Sequence, residues 1–170
     1  MAPSPFVTTC LAEIEIGAAR EVLDIPAGTG RHSLTLAALG HSVTVADIDA
    51  NLVRSTEAAV LAMGAVCRGY VVDATGPLPF ASESFDLVLI VDFVDKYLLG
   101  HVGELLKPGG FLIYESYSAR GENWRQLLPL GQTKELLFRN AELIRIKTSP
   151  AGPTGVEAEA VKILARRHKR

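Results

Sequence analysis

Short, nearly unbroken apolar runs alternate along this chain with stretches whose apolar residues recur at helical spacing. That alternation predicts a parallel sheet with helices on its faces. Glu21–Ile25 reads as a first strand, and Arg31–Leu39 as a helix stopped by Gly40, the residue a left-handed cap favours. Ser42–Ile48 is a second strand. Asp49 can cap a helix running to Met63, with Leu52, Ala59, Val60 and Met63 as its apolar stripe and Gly64 as its stop. Gly69–Asp73 is a short third strand, and Gly76-Pro77-Leu78-Pro79 must be a loop, because two prolines so close allow neither a helix nor a central strand. The run Phe85–Val91 is apolar enough to be buried on both faces. A helix over Asp95–Leu106 follows, and Lys107-Pro108-Gly109-Gly110 turns the chain into a fifth strand, Phe111–Glu115.

The last part of the chain breaks this rhythm. Leu143–Ser149 and Val156–Arg166 both read as strands, separated only by the Pro/Gly-rich segment Pro150–Gly155. So short a connection closes an antiparallel hairpin but cannot carry a helical crossover, so at least one of these strands runs against the others. The expected architecture is a mixed α/β sheet in one domain over 1–170. It has a short helical lead over 1–20, a Rossmann-like doubly wound core over 21–142 and a C-terminal β-hairpin over 143–167.

Candidate chemistry gathers at the ends of these strands. Val22-Leu23-Asp24-Ile25-Pro26-Ala27-Gly28-Thr29-Gly30-Arg31-His32-Ser33 joins an apolar strand to a helix through a glycine turn. Such a turn presents unpaired backbone N–H groups and lets a ligand approach the backbone closely. Dinucleotides and S-adenosylmethionine both use sites of this kind. A dinucleotide fingerprint would want Gly or Ala where Ser33 stands. Asp47 ends the second strand, where a carboxylate can accept hydrogen bonds from both hydroxyls of a ribose. Asp73, at the end of the third, can accept from an adenine amino group, while Ala74 offers a backbone N–H to a ring nitrogen. Asp24 points at the same crevice and is expected to hold the turn and to favour a nearby cationic amino group.

Composition narrows the picture further. With 170 residues, 48% of them apolar and 21% charged, the chain can bury a full core. A net charge of -2 gives no field that favours nucleic acid, and the basic end Arg166–Arg170 carries no interleaved aromatic residues. Two cysteines, Cys10 and Cys67, are too few for a disulfide framework and fit a reducing cytoplasm. The four histidines have no zinc-like spacing, so no metal is expected. No apolar run is long enough to cross a bilayer, and Met1–Pro5 lacks the pattern of a signal peptide.

Taken in order, these segments resemble the class I S-adenosylmethionine-dependent methyltransferases. Leu23–His32 is similar to their glycine motif, Ala46-Asp47-Ile48-Asp49 to their ribose-binding acid and Asp73-Ala74 to their adenine contact. Phe85–Leu89 and Leu105–Leu112 resemble their fourth and fifth strands, and the closing hairpin agrees with a seven-stranded sheet whose last strand is antiparallel. The resemblance implies S-adenosylmethionine as cofactor, S-adenosylhomocysteine as product, and cofactor contacts from Asp24, Ala27, Gly28, Gly30, Arg31, His32, Asp47, Ile48, Asp73, Ala74 and Val91. Within the class, Gly30-Arg31-His32 and the segment from Tyr114-Glu115-Ser116-Tyr117 through Asn123 to Pro129 and Gly131-Gln132 resemble the small tellurite-resistance methyltransferases. Pro26 departs from such motifs, and only about twenty residues precede the first strand, so the helix that commonly lids the cofactor is expected to be absent or reduced.

A sulfonium methyl is already activated, so the protein has chiefly to hold an acceptor in line with it. Asp92, Glu115, Tyr117, Asn123, Trp124 and Arg125 are placed to face that acceptor, with Glu115, Tyr117 and Asn123 as the catalytic candidates. Glu115 can act as a base or can hold Arg120 or Arg125 by an ion pair. The long segment Tyr117–Gly131 is expected to cover the acceptor. The nucleic-acid methylators' Asn-Pro-Pro-Tyr motif is absent, which favours a small-molecule acceptor. A nicotinamide-dependent oxidoreductase and a cofactor-binding relative without turnover are the alternatives, and the sequence leaves the oligomeric state open.

Overall fold

The computed structural model describes residues 2–14, 17, 20–119, 128–137, 139, 141–151 and 158–169. Its elements are α1 (Pro5–Glu13), β1 (Glu21–Asp24), α2 (Arg31–Ala38), β2 (Ser42–Asp47), α3 (Ala50–Ala62), β3 (Cys67–Val71), β4 (Phe85–Val91), α4 (Lys96–Leu105), β5 (Leu106–Ala119), α5 (Leu130–Leu137), β6 (Ala141–Ala151) and β7 (Ala158–Arg167). The seven strands form one sheet in the order β3-β2-β1-β4-β5-β7-β6. β1 to β5 are parallel, and β7 runs antiparallel to both of its neighbours, so it alone opposes the rest.

Alternation along the strands sorts the core into two layers. Val22, Leu87, Leu89 and Ile113 pack on one face with Phe6, Val7 and Cys10 of α1, Leu36 of α2 and Val60 of α3. Leu23, Val88, Ile90, Leu112 and Ile163 pack on the other with Leu98, Leu99 and Val102 of α4 and Leu137 of α5. Three helices, α1, α3 and α4, start where the sequence supplies a side-chain cap, and Ser4 Oγ accepts from Phe6 N at the first. Asp49 Oδ1 accepts from the N–H groups of Asn51 and Leu52, and Asp95 Oδ1 from that of Leu98.

Several expectations shift in the structure. The third strand is Cys67–Val71 and not Gly69–Asp73: β3 is an edge strand that pairs only with β2, and β2 ends at Asp47 opposite Val71. The buried line of α3 is Val53, Thr56 and Val60, whereas Met63 is 49% exposed, because Thr56 is the side chain that packs against the Gly30 turn. The fifth strand takes in Lys107–Gly110 as an irregularity, since the pairing passes from Phe85–Leu106 directly to Leu87–Phe111. Between the fifth strand and the hairpin lies α5, a helix that the apolar pattern does not announce. α1, nine residues long, packs on the sheet through Phe6, Val7 and Cys10.

Candidate functional site

β1 and β4 are adjacent while their crossovers lead in opposite directions, and in open α/β sheets ligands bind outside the carboxyl ends of strands at such a switch point. A cavity of about 350 Å³ lies there, lined by Pro26, Ala27, Gly28, Thr29, Arg31, His32, Asp47, Val91, Asp92 and Phe93. Six of the residues expected to touch a cofactor, Ala27, Gly28, Arg31, His32, Asp47 and Val91, are therefore brought to one cavity.

The turn is built by two glycines with different work. Gly28 has φ +53, and a Cβ there would meet nothing within 4 Å, so its missing side chain leaves open space on the cavity side. Gly30 has φ +74, and a Cβ there would lie 2.3 Å from Thr56 Cγ2, so its absence lets α3 close on the turn. Asp47 ties the turn to β2: its Oδ2 accepts from Gly28 N at 2.8 Å and its Oδ1 from Asp49 N at 3.0 Å. Each oxygen has a second lone pair left for a ligand.

Beneath the turn, Asp24 is 1% exposed and accepts a 2.6 Å hydrogen bond from Ser33 Oγ. Burial pushes its carboxyl up to about 7, against the lowering effect of Ser33. The serine that spoils a dinucleotide fingerprint is thus the partner of the buried acid. His32 is 3% exposed; burial, with Arg31 beside it, brings its imidazole down to about 4, so it is neutral and its Nε2 accepts from Ser4 N at 3.2 Å. Across the cavity, Arg31 pairs with Asp92 at 3.1 Å, and Asp92 holds the left-handed φ of +57, a costly conformation for a non-glycine residue.

Other expected residues sit elsewhere. Asp73 is exposed in a turn, where its Oδ1 accepts from Thr75 N at 2.9 Å and Thr75 Oγ1 at 2.7 Å, bonds that hold its carboxyl below the usual range. Ala74 is buried in the core layer of α4, and Ile48 is 68% exposed. None of the three lines the cavity. Glu115 accepts a short hydrogen bond from Ser4 Oγ and pairs with Lys162 Nζ at 2.7 Å. Its ionic partner is therefore Lys162 of β7, whereas Arg120 and Arg125 lie outside the described residues. Tyr117 is 40% exposed near the end of β5. Asn123, Trp124 and most of the expected cover over 117–131 lie outside the described residues. Sequence reasoning missed Thr29 and Phe93 in the cavity wall, and also Ser4 and Lys162. A serine directly before Pro5 is the one local signal for Ser4, as a helix cap; no spacing signals its reach to His32 and Glu115.

Among the described residues no group of three or more His, Cys, Asp or Glu side chains can hold a metal ion, and no helix is long and apolar enough to cross a membrane. Residues 22–110, just over half of the chain, match the Methyltransferase domain family. The chain belongs to that family. The methyltransferase has a Rossmann-like class I fold, shared with an S-adenosylmethionine-dependent methyltransferase from Methanosarcina mazei at 21% identity and TM-score 0.73, over 100% of both chains. Geranyl diphosphate methyltransferase in complex with S-adenosylmethionine matches at 12% identity and TM-score 0.79, over 94% of this chain and 83% of that one. The cyclase SpnF matches at 17% identity and TM-score 0.80, over 96% and 80%. One neighbour is thus named for a cyclisation, so the fold alone does not fix a reaction; the family match identifies this enzyme as a methyltransferase. No curated protein matches the sequence.

Proposed function

We propose that the cavity at the glycine turn holds S-adenosylmethionine and that the enzyme transfers its methyl group to a small-molecule acceptor. The observation that carries this reading is the pairing of Gly28 with Asp47: the glycine leaves the cavity open at a point where a side chain would enter it, and its N–H fixes the carboxylate beside that opening. In this reading Asp47 accepts from the ribose hydroxyls, and the turn from Ala27 to His32 lies along the amino-acid end of the cofactor. Asp24, held by Ser33, meets a cationic amino group with a carboxyl that ionises near neutrality. Val91, in the cavity wall, is proposed to lie against the adenosyl group, and Asp73, Ala74 and Ile48, outside that wall, are proposed to meet the adenine end where it extends beyond the cavity.

The bound cofactor supplies an activated methyl group, and the chain has to position the acceptor and exclude water. Ser4 and Lys162 occupy both oxygens of Glu115, so we assign Glu115 the role of positioning the N-terminal segment against the site. Tyr117 and Asn123 are proposed to face the acceptor. The narrower likeness to tellurite-resistance methyltransferases rests on Gly30-Arg31-His32 and on segments around residues 114–117 and 123–132. It adds oxyanions to the thiols and amines that an acceptor screen should contain.

The test is transfer of label from methyl-labelled S-adenosylmethionine to such a panel. Labelled product formed by the wild type and lost in Asp47→Ala supports the reading. Cofactor binding without labelled product from any thiol, amine, hydroxyl or oxyanion acceptor would favour a binding protein.

A further inference from the structure

Cross-strand pairing places Val91 of β4, Glu115 of β5, Lys162 of β7 and Lys147 of β6 in one row across the sheet. Directly opposed residues share a face, and this is the face that α1 covers: Val91 packs in its layer, Ser4 donates to Glu115, and Lys162 Nζ lies 5.8 Å from the centre of the Phe6 ring. With strands about 4.8 Å apart, Lys162 and Lys147 stand about 10 and about 15 Å along the row from Val91, which lines the cavity at the glycine turn.

A second cavity, of about 360 Å³, opens over the far half of this row between α1 and the hairpin. Phe6 and Pro5 give it an apolar wall. Lys147, Lys162 and Ser149 give it ammonium and hydroxyl donors, while the Thr9 hydroxyl in its wall donates to Pro5 O at 2.8 Å. On this face Lys162 pairs with Glu115 at 2.7 Å, and Arg145 pairs with Glu13 at 2.8 Å. Lys147 makes no ion pair among the described residues, so among them this face carries one uncompensated positive charge. A chain of contacts from His32, in the wall of the first cavity, through Ser4 and Glu115 to Lys162, in the wall of the second, links the two.

We propose that this second cavity binds a carboxylate or phosphate group on the methyl acceptor, with Lys147 as its principal ionic partner; the acceptor role rests on the methyl-transfer reading above. The site selects small molecules that carry an apolar body for Phe6 and an anionic group about two to three strand spacings, roughly 10–15 Å, from the cofactor cavity. An anion there meets the Lys147 ammonium, which makes no ion pair among the described residues, and the Ser149 hydroxyl, and a neutral isostere forfeits the charge-assisted bond.

The experiment is an amide-shift titration of the full chain saturated with S-adenosylhomocysteine, using phenylacetate, phenyl phosphate and the neutral phenylacetamide as probes. We expect one or both anions to shift Thr9, Ser149 and Lys162 in a saturable way. Phenylacetamide should bind roughly tenfold more weakly or worse, as loss of one charged hydrogen bond implies. Lys147→Gln should reproduce that loss for the anions, Lys147→Arg should restore binding, and neither should change the affinity for S-adenosylhomocysteine by more than about twofold, since Lys147 stands outside the cofactor cavity. Equal binding of the amide and the anions, no anion binding, or full anion affinity in Lys147→Gln would overturn the proposal. Lys147-dependent anion binding in a chain that does not take up S-adenosylhomocysteine would uphold the anion site and overturn its assignment to a methyl acceptor.

Discussion

Asp47 Oδ2 accepts a 2.8 Å hydrogen bond from the backbone N–H of Gly28, which locks the end of β2 to the turn after β1. The carboxylate and the turn therefore move as one unit. Removing the acid should act on both ligand and scaffold. Asp47→Ala is expected to weaken S-adenosylhomocysteine binding by about 1.5–3 kcal/mol, the range for hydrogen bonds to a charged group. It should also lower the unfolding free energy by about 1–3 kcal/mol, because it leaves the Gly28 and Asp49 N–H groups without their partner. Calorimetry and urea unfolding measure the two effects separately.

The two glycines of the turn should respond oppositely to substitution. Both have positive φ, so a side chain at either costs about 1–2 kcal/mol in backbone strain. Gly30→Ala also drives a methyl into Thr56 and should cost about 1–3 kcal/mol more from overpacking. Gly28→Val meets no protein atom at its Cβ and should keep the fold while losing cofactor affinity. Thermal unfolding beside ligand titration checks the contrast; a Gly28→Val chain that binds normally would make the turn purely structural.

Two buried groups should give stability opposite pH dependences. Folded Asp24, raised to about 7, keeps a proton that the unfolded chain releases above about 4, so its contribution falls as pH rises from about 4 to 7. Folded His32, lowered to about 4, stays neutral where the unfolded chain takes up a proton, so its contribution rises between about 4 and 6.5. The wild-type slopes should largely offset. In Asp24→Asn the stability should rise from pH 4.5 to 6.5, by up to about 1.4 kcal/mol per unit from His32, with the lowered His41 adding in the same sense. In His32→Gln it should fall over that window. Denaturant titrations at several pH values test this, and slopes of the same sign in both variants would contradict it.

Much of this arrangement was legible from pattern alone, for identifiable reasons. Asp24, Gly28 and Asp47 sit at the ends of strongly apolar strands whose limits the sequence marks sharply. β3 is weakly apolar and pairs on one side only, so its end is set by β2, and Asp73 falls two residues past it. Thr56 is polar yet buried to 3% exposure, which no hydrophobic stripe can show. The contacts of Glu115 with Ser4 and Lys162 join residues 111 and 47 positions away, a proximity created by sheet order and not by local spacing.

Glu115, proposed to position the N-terminal segment, and Asn123, proposed to face the acceptor, should separate in kinetics from the residues proposed for the cofactor. Glu115→Gln and Asn123→Ala should lower turnover by more than they lower cofactor affinity. For Glu115 the change also releases Ser4 and Lys162, so Ser4→Ala should show part of the same loss. Parallel losses of affinity and turnover in both variants would place the acceptor elsewhere.

Both cysteines are buried, and burial pushes each thiol up to about 11, so neither should react in the folded protein. Maleimide labelling at neutral pH should be negligible until denaturant is added. Rapid labelling of Cys10 in the native chain would show that α1 leaves the sheet readily.

The cavity built by Gly28 and Asp47 is proposed above as the site of S-adenosylmethionine. Calorimetric titration of the wild type and Asp47→Ala with S-adenosylhomocysteine, beside NAD, tests it most directly. One-site binding of S-adenosylhomocysteine that weakens by roughly tenfold or more in Asp47→Ala, with no comparable binding of NAD, is the predicted result. NAD binding as tightly as S-adenosylhomocysteine, or an Asp47→Ala protein of unchanged affinity, would contradict it.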